Sequence, residues 1–142
     1  MYRIETENFM LELSPTVHEN DLTAPVNTEL GIKVQSYGFS AESELLVNVK
    51  MLNTFSIDLK QIYETLQGLA KIEEPYGAKC FVEFAATTGG HIKIKGIIDN
   101  KASYGYTQSL SFENEIDQTY LKDFSEKLFA DYGRWSEENG NE

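Results

Sequence analysis

Apolar residues alternate with polar ones along most of the chain, and in two stretches the period lengthens to threes and fours. Phe9, Leu11 and Leu13 alternate with Met10 and Glu12, which predicts a half-buried strand that Pro15 ends. The chain from Val17 to Asn27 is polar, carries Pro25 near its end and reads as a long loop. Leu30, Ile32 and Val34 follow with a period of two, then a turn-rich stretch from Gly38 to Ser43. Leu45, Val47, Val49 and Met51 form the next apolar face. The last two runs suggest a hairpin.

At Phe55 the pattern changes. Phe55, Leu59, Ile62, Tyr63, Leu66 and Leu69 make one stripe of an amphipathic helix, with Ser56 as its N-cap and Asp58 near the positive end of its dipole. Gly68 weakens the end of this helix and Pro75 forbids continuation beyond Glu74. Alternation then resumes. Cys80, Val82, Phe84 and Ala86 line one strand face, the run Thr87-Thr88-Gly89-Gly90 makes a turn, and Ile92, Ile94 and Gly96 form the next. Asp99-Asn100-Lys101 reads as another turn before Tyr104, Tyr106, Leu110 and Phe112. Asp117 caps a last helix that carries Tyr120, Leu121, Phe124 and Leu128 inward.

Strands joined by short turns favour antiparallel pairing, because a parallel pair needs a long crossover. The expected fold is α+β: an antiparallel sheet of about six or seven strands with two helices packed on it. Residues 1–135 are expected to form a single globular domain, and residues 136–142 an acidic flexible tail without an apolar side chain. No internal repeat is visible along the sequence.

Composition narrows the function. The 142 residues are 41% hydrophobic, which suits one globular domain with a full core. The apolar runs are too short to cross a membrane, and the N-terminus has no apolar signal segment, so a cytoplasmic location is expected. The single Cys80 agrees with a reducing compartment. A net charge of −11 repels phosphate backbones and anionic lipid, which argues against direct nucleic-acid or membrane binding, and it speeds encounter with a basic partner. The acids are unevenly spread: Lys79, Lys93, Lys95 and Lys101 reverse the balance locally against Glu83 and Asp99.

Candidate chemistry is sparse. A zinc site needs four close Cys or His ligands, whereas the chain has Cys80, His18 and His91. Cys80 lies among core-type residues, and His91 is the one histidine to test as its partner. Gly89-Gly90 precedes a strand instead of opening a helix, which is a hairpin turn and not a phosphate loop. No catalytic residue, cofactor or metal is expected. Exposed tyrosines near turns or ends (Tyr37, Tyr76, Tyr132) beside carboxylates have the composition of a protein interface.

Several segments together resemble a known family: the run from Asn8 to Leu13; Asn20-Asp21-Leu22 with Pro25-Val26-Asn27-Thr28; Glu74-Pro75-Tyr76-Gly77; Gly90-His91-Ile92; and the run from Phe112 to Leu121. The chain resembles the WapI-type immunity proteins of Gram-positive bacteria over nearly its whole length. The resemblance implies a non-enzymatic protein that binds and neutralises the C-terminal tRNA-cleaving nuclease toxin domain of a cell-wall-associated WapA-type protein. Three acidic patches are candidates for toxin binding: Glu113, Glu115 and Asp117; Glu73, Glu74 and Tyr76; and Glu19 with Asp21. The alternative is a small cytosolic enzyme or ligand-binding protein with a pocket between sheet and helices, near Tyr104, Tyr106 and His91.

Overall fold

The computed structural model describes residues 1–18, 24–75, 79–101 and 105–135. Among them the chain runs β1 (Tyr2–Glu5), β2 (Phe9–Val17), β3 (Thr28–Ser36), β4 (Phe39–Val47), α1 (Val49–Thr65), β5 (Leu69–Glu73), β6 (Phe81–Ala86), β7 (His91–Lys101), β8 (Thr107–Asp117) and α2 (Lys122–Tyr132). A short 3-10 turn, Gln118–Tyr120, leads into α2. The α+β class is as the alternation predicts, but the strands form two antiparallel four-stranded meanders, β1-β2-β3-β4 and β5-β6-β7-β8. α1 separates β4 from β5 in the chain. β4 meets the second sheet instead through the Asn100 amide, which donates to the Glu42 carbonyl at 2.8 Å, and through the Ser43 hydroxyl, which donates to the Asp99 carbonyl.

The inward residues of both sheets and both helices merge into one apolar core. The Phe84 ring sits in its middle, 5.8 Å from the Phe55 ring of α1 and 5.7 Å from the Phe124 ring of α2.

Several boundaries differ from the sequence reading, each for a local reason. β2 runs through Pro15. β1 pairs with β2 only as far as Leu13, so at Pro15 the strand has a neighbour on one side alone and a missing N–H can face open space. Val49 and Met51 belong to α1 and not to the preceding strand, because α1 starts seven residues before Ser56. Asn48 caps it, its side-chain oxygen accepting from the Lys50 N–H at 2.9 Å, and the buried Asn27 side chain accepts the Val49 N–H at 2.9 Å. Ser56 is instead a buried mid-helix residue whose hydroxyl donates to the Asn53 carbonyl at 2.7 Å. Asp58 is likewise mid-helix, where burial pushes its carboxyl above the usual range.

The hairpin turn after β3 is only Tyr37-Gly38, both at positive φ (53° and 99°), and β4 begins at once. Leu66, at φ 57°, closes α1, so Leu69 starts β5, where Ala70 and Ile72 are buried. Asp99, Asn100 and Lys101 extend β7 opposite Ser109, Gln108 and Thr107, held by the bridges to β4. Asp117 caps the 3-10 turn through the Thr119 N–H at 2.9 Å, and Tyr120 points outward while Leu121, Phe124 and Leu128 are buried.

The strand registers reveal an internal duplication. Row by row across the first sheet, Arg3 stands beside Glu12, Glu12 beside Lys33, and Lys33 beside Glu42. The second sheet repeats the row as Lys71, Glu83, Lys95 and Glu113. The last strands share a pattern, Ser40-Ala41-Glu42-Ser43-Glu44-Leu45 against Ser111-Phe112-Glu113-Asn114-Glu115-Ile116. The helices that follow match in five places at one spacing: Leu52, Phe55, Ser56, Leu59 and Tyr63 against Leu121, Phe124, Ser125, Leu128 and Tyr132. Ser125 even repeats the hydrogen bond of Ser56, donating to the carbonyl three residues back, at Lys122. The chain is therefore two ββββα units packed on a common core.

Candidate partner-binding surface

In both sheets alternate residues point away from the core, so each sheet presents one polar face built by the period of two. Glu113, Glu115 and Asp117 all lie on the outward face of β8, as the alternation with Phe112, Asn114 and Ile116 requires. They do not form a free acidic patch. The Lys93 ammonium lies 2.7 Å from the Glu113 carboxylate, and this hydrogen-bonded pairing lowers the Glu113 pKa while raising that of Lys93. His91 Nδ1 stands 3.3 Å from Glu115. Asp117 is engaged with the backbone N–H and side chain of Thr119, which lowers its pKa.

The second predicted patch is divided. Glu73 is on the outward face of β5, at the opposite edge of the same sheet, and pairs with Lys71 at 3.4 Å. Three strand spacings, about 14 Å, lie between β5 and β8. Glu74 turns instead toward the first sheet, where its carboxylate accepts the Leu46 N–H at 3.4 Å. Tyr76, Glu19 and Asp21 lie outside the described residues, as does Tyr104.

Apart from Tyr37, which the sequence reading noted, the surface residues that it passed over are on the first sheet. Glu42, Glu44 and Leu46 point outward along β4, and among the described residues no cation lies within salt-bridge distance of Glu42 or Glu44. At the start of this strand Tyr37 and Phe39 are 70% and 69% exposed, with Tyr106 the largest exposures of any aromatic side chains among the described residues. They border a cleft of about 490 Å³ that Glu5, Glu7, Met10 and Gln35 also line. Phe39 borders a second cleft, of about 340 Å³, between β4 and the β7–β8 hairpin. The signal available in the sequence was the repeated Ser-x-Glu-x-Glu-aliphatic pattern at 40–45 and 111–116.

The Cys80 and His91 pair does not form. Cys80 is buried just before β6, whose first residue pairs with Ile97, whereas His91 opens the far end of β7 on the outward face. Six residues of strand, about 20 Å, separate those levels. Burial pushes the Cys80 thiol up, which disfavours the reactive thiolate. A disulfide reagent such as DTNB should therefore label Cys80 slowly in the native protein and at once in denaturant, and rapid native labelling would contradict its burial. Among the described residues no three His, Cys, Asp or Glu side chains are grouped to hold a metal ion. No helix among them is long and apolar enough to cross a membrane.

Residues 4–135 match the immunity protein WapI-like family. The chain belongs to the WapI-like immunity protein family. A comparison with curated proteins gave no match. Family membership makes this an immunity protein whose task is to engage a partner protein, and a surface of outward strand residues with exposed rings is the kind of structure that such a task uses.

Proposed function

We propose that this protein binds the C-terminal tRNA-cleaving nuclease toxin domain of a WapA-type protein in the cytoplasm, and neutralises it without catalysis of its own. The observation that carries this reading is the family match over residues 4–135. The net charge of −11 supports it physically. A domain that cleaves tRNA needs a positively charged groove for the phosphate backbone, and an acidic protein can occupy that groove in place of RNA.

The test is a tRNA-cleavage assay with the toxin domain, titrated with this protein. Cleavage should stop near one equivalent, while a toxin domain of a different type stays active. Because screening weakens steering between opposite charges, the association rate should fall about tenfold or more between low and physiological salt. Cleavage that continues in the presence of excess protein overturns the reading, and an association rate insensitive to salt overturns its electrostatic part.

A further inference from the structure

The two halves of the chain carry the same outward strand in two electrostatic versions, and the difference singles out one of them. In β8 the outward Glu113 and Glu115 stand beside Lys95 and Lys93, and Asp117 beside His91. In β4 the matching Glu42 stands beside Lys33, but Glu44 faces Gly31 and Leu46 faces Glu29. Where the second half has Lys93 and His91, the first half has glycine and a further acid. The second sheet thus engages Glu113 with Lys93 at 2.7 Å and sets His91 3.3 Å from Glu115, and the first leaves Glu42 and Glu44 without an ion pair among the described residues. Lys33 is the one cation among the residues of β3 and β4, and it stands between Glu12 and Glu42. Among the described residues Glu29 has His18 within salt-bridge distance, at 3.5 Å.

The ends of the strands diverge in the same sense. Phe39 occupies the place that Leu110 holds in the second half; Leu110 packs partly against the core, whereas Phe39 projects beside Tyr37 between the two clefts. Two large exposed rings, one on the two-residue turn and one just after it, present apolar surface that a partner can cover. Aromatic anchors at the centre with charged side chains toward the rim are the usual makeup of a protein interface.

Resting on the functional reading above, we infer that the nuclease domain docks on β4, over the outward Glu42 and Glu44 and around the start of the strand, where Phe39 has the parity of the buried Leu45 and Val47 but lies beyond the core and is exposed. Tyr37 and Phe39 enter its surface as anchors, and Glu42 and Glu44 meet basic side chains of its RNA-binding groove. The second sheet, with its paired charges, stays in solvent. A carboxylate already paired at 2.7 Å must lose that partner to gain another, while Glu42 and Glu44 have no ion pair among the described residues to give up.

The experiment compares the binding kinetics and tRNA-cleavage inhibition of three double variants with wild type, all verified by circular dichroism and urea midpoint. Tyr37→Asn with Phe39→Ala, where asparagine suits the positive φ of the turn, should weaken binding at least a hundredfold, mainly through faster dissociation. Glu42→Gln with Glu44→Gln should lower the association rate about tenfold at low salt and flatten its salt dependence. Glu113→Gln with Glu115→Gln should stay within about threefold of wild type. Wild-type affinity in both β4 variants overturns this inference alone, as does a β8 variant that loses as much as the β4 acids. A wild-type protein that neither binds nor inhibits the nuclease domain overturns the functional reading together with it.

Discussion

Replacing Phe84 with alanine should cost about 3–5 kcal/mol of unfolding free energy, the largest loss expected from any single truncation in this core. The ring is fully buried and lies between Phe55 of α1 and Phe124 of α2, two residues that the internal duplication makes equivalent. Its removal therefore opens a cavity against both helices at once. The edge contact at 5.8 Å and the stacked contact at 5.7 Å are each worth about 0.5–1.5 kcal/mol beyond the area they bury. Urea unfolding monitored by circular dichroism measures the loss. Coincident transitions by near- and far-ultraviolet signals would show that both halves still unfold together through the shared core. A loss below about 1 kcal/mol would show that the core does not depend on this ring, and two separate transitions would show that the ring had joined the two halves.

The second large effect is expected at Gly96, in the middle of β7. A Cβ there would come within 2.5 Å of the Phe81 carbonyl oxygen and 2.7 Å of the Phe112 ring. The oxygen belongs to the backbone of the neighbouring strand, so it cannot step aside as a flexible side chain would. Gly96→Ala should destabilise the protein by about 1–3 kcal/mol through overpacking, even though glycine is ordinarily a poor strand residue and alanine a better one. Thermal unfolding read by calorimetry would test it. Phe112→Leu placed beside Gly96→Ala should recover part of the loss by vacating the ring's space, and no recovery would assign the whole cost to the backbone contact.

The sequence made the period-two runs at 9–13, 30–34, 80–86 and 92–96 legible as strands, because one face of each is apolar enough to announce itself. It also showed the stripe of α1 and the inward faces of α2. Element ends were less legible. Asn48 outcompetes Ser56 as a cap because the buried Asn27 side chain, remote in sequence, receives the next N–H of the helix. The strand at 69–73 was hidden because Leu69, Ala70 and Ile72 continue the helical stripe, and only the left-handed Leu66 breaks it.

The candidate site divides in the same way. Glu113, Glu115 and Asp117 were legible as one outward face, since alternation alone puts them there. Their partners were not, because Lys93 and His91 approach them only through the β7–β8 register. The outward acids of β4 went unnoticed for the complementary reason: Gly31 and Glu29 look ordinary until the register places them where the other half keeps Lys93 and His91.

By itself, then, the chain determined which residues alternate, which face of each element is apolar, the net charge of −11 and the family, all of which depend on local order and composition. The tertiary structure decided that the strands divide into two sheets, that the chain is a duplication and which carboxylates are paired. Insertions of different length between matching strands remove any constant period from the sequence, while strand pairing restores the alignment, because hydrogen-bond register depends on which residues stand opposite and not on how much chain lies between them.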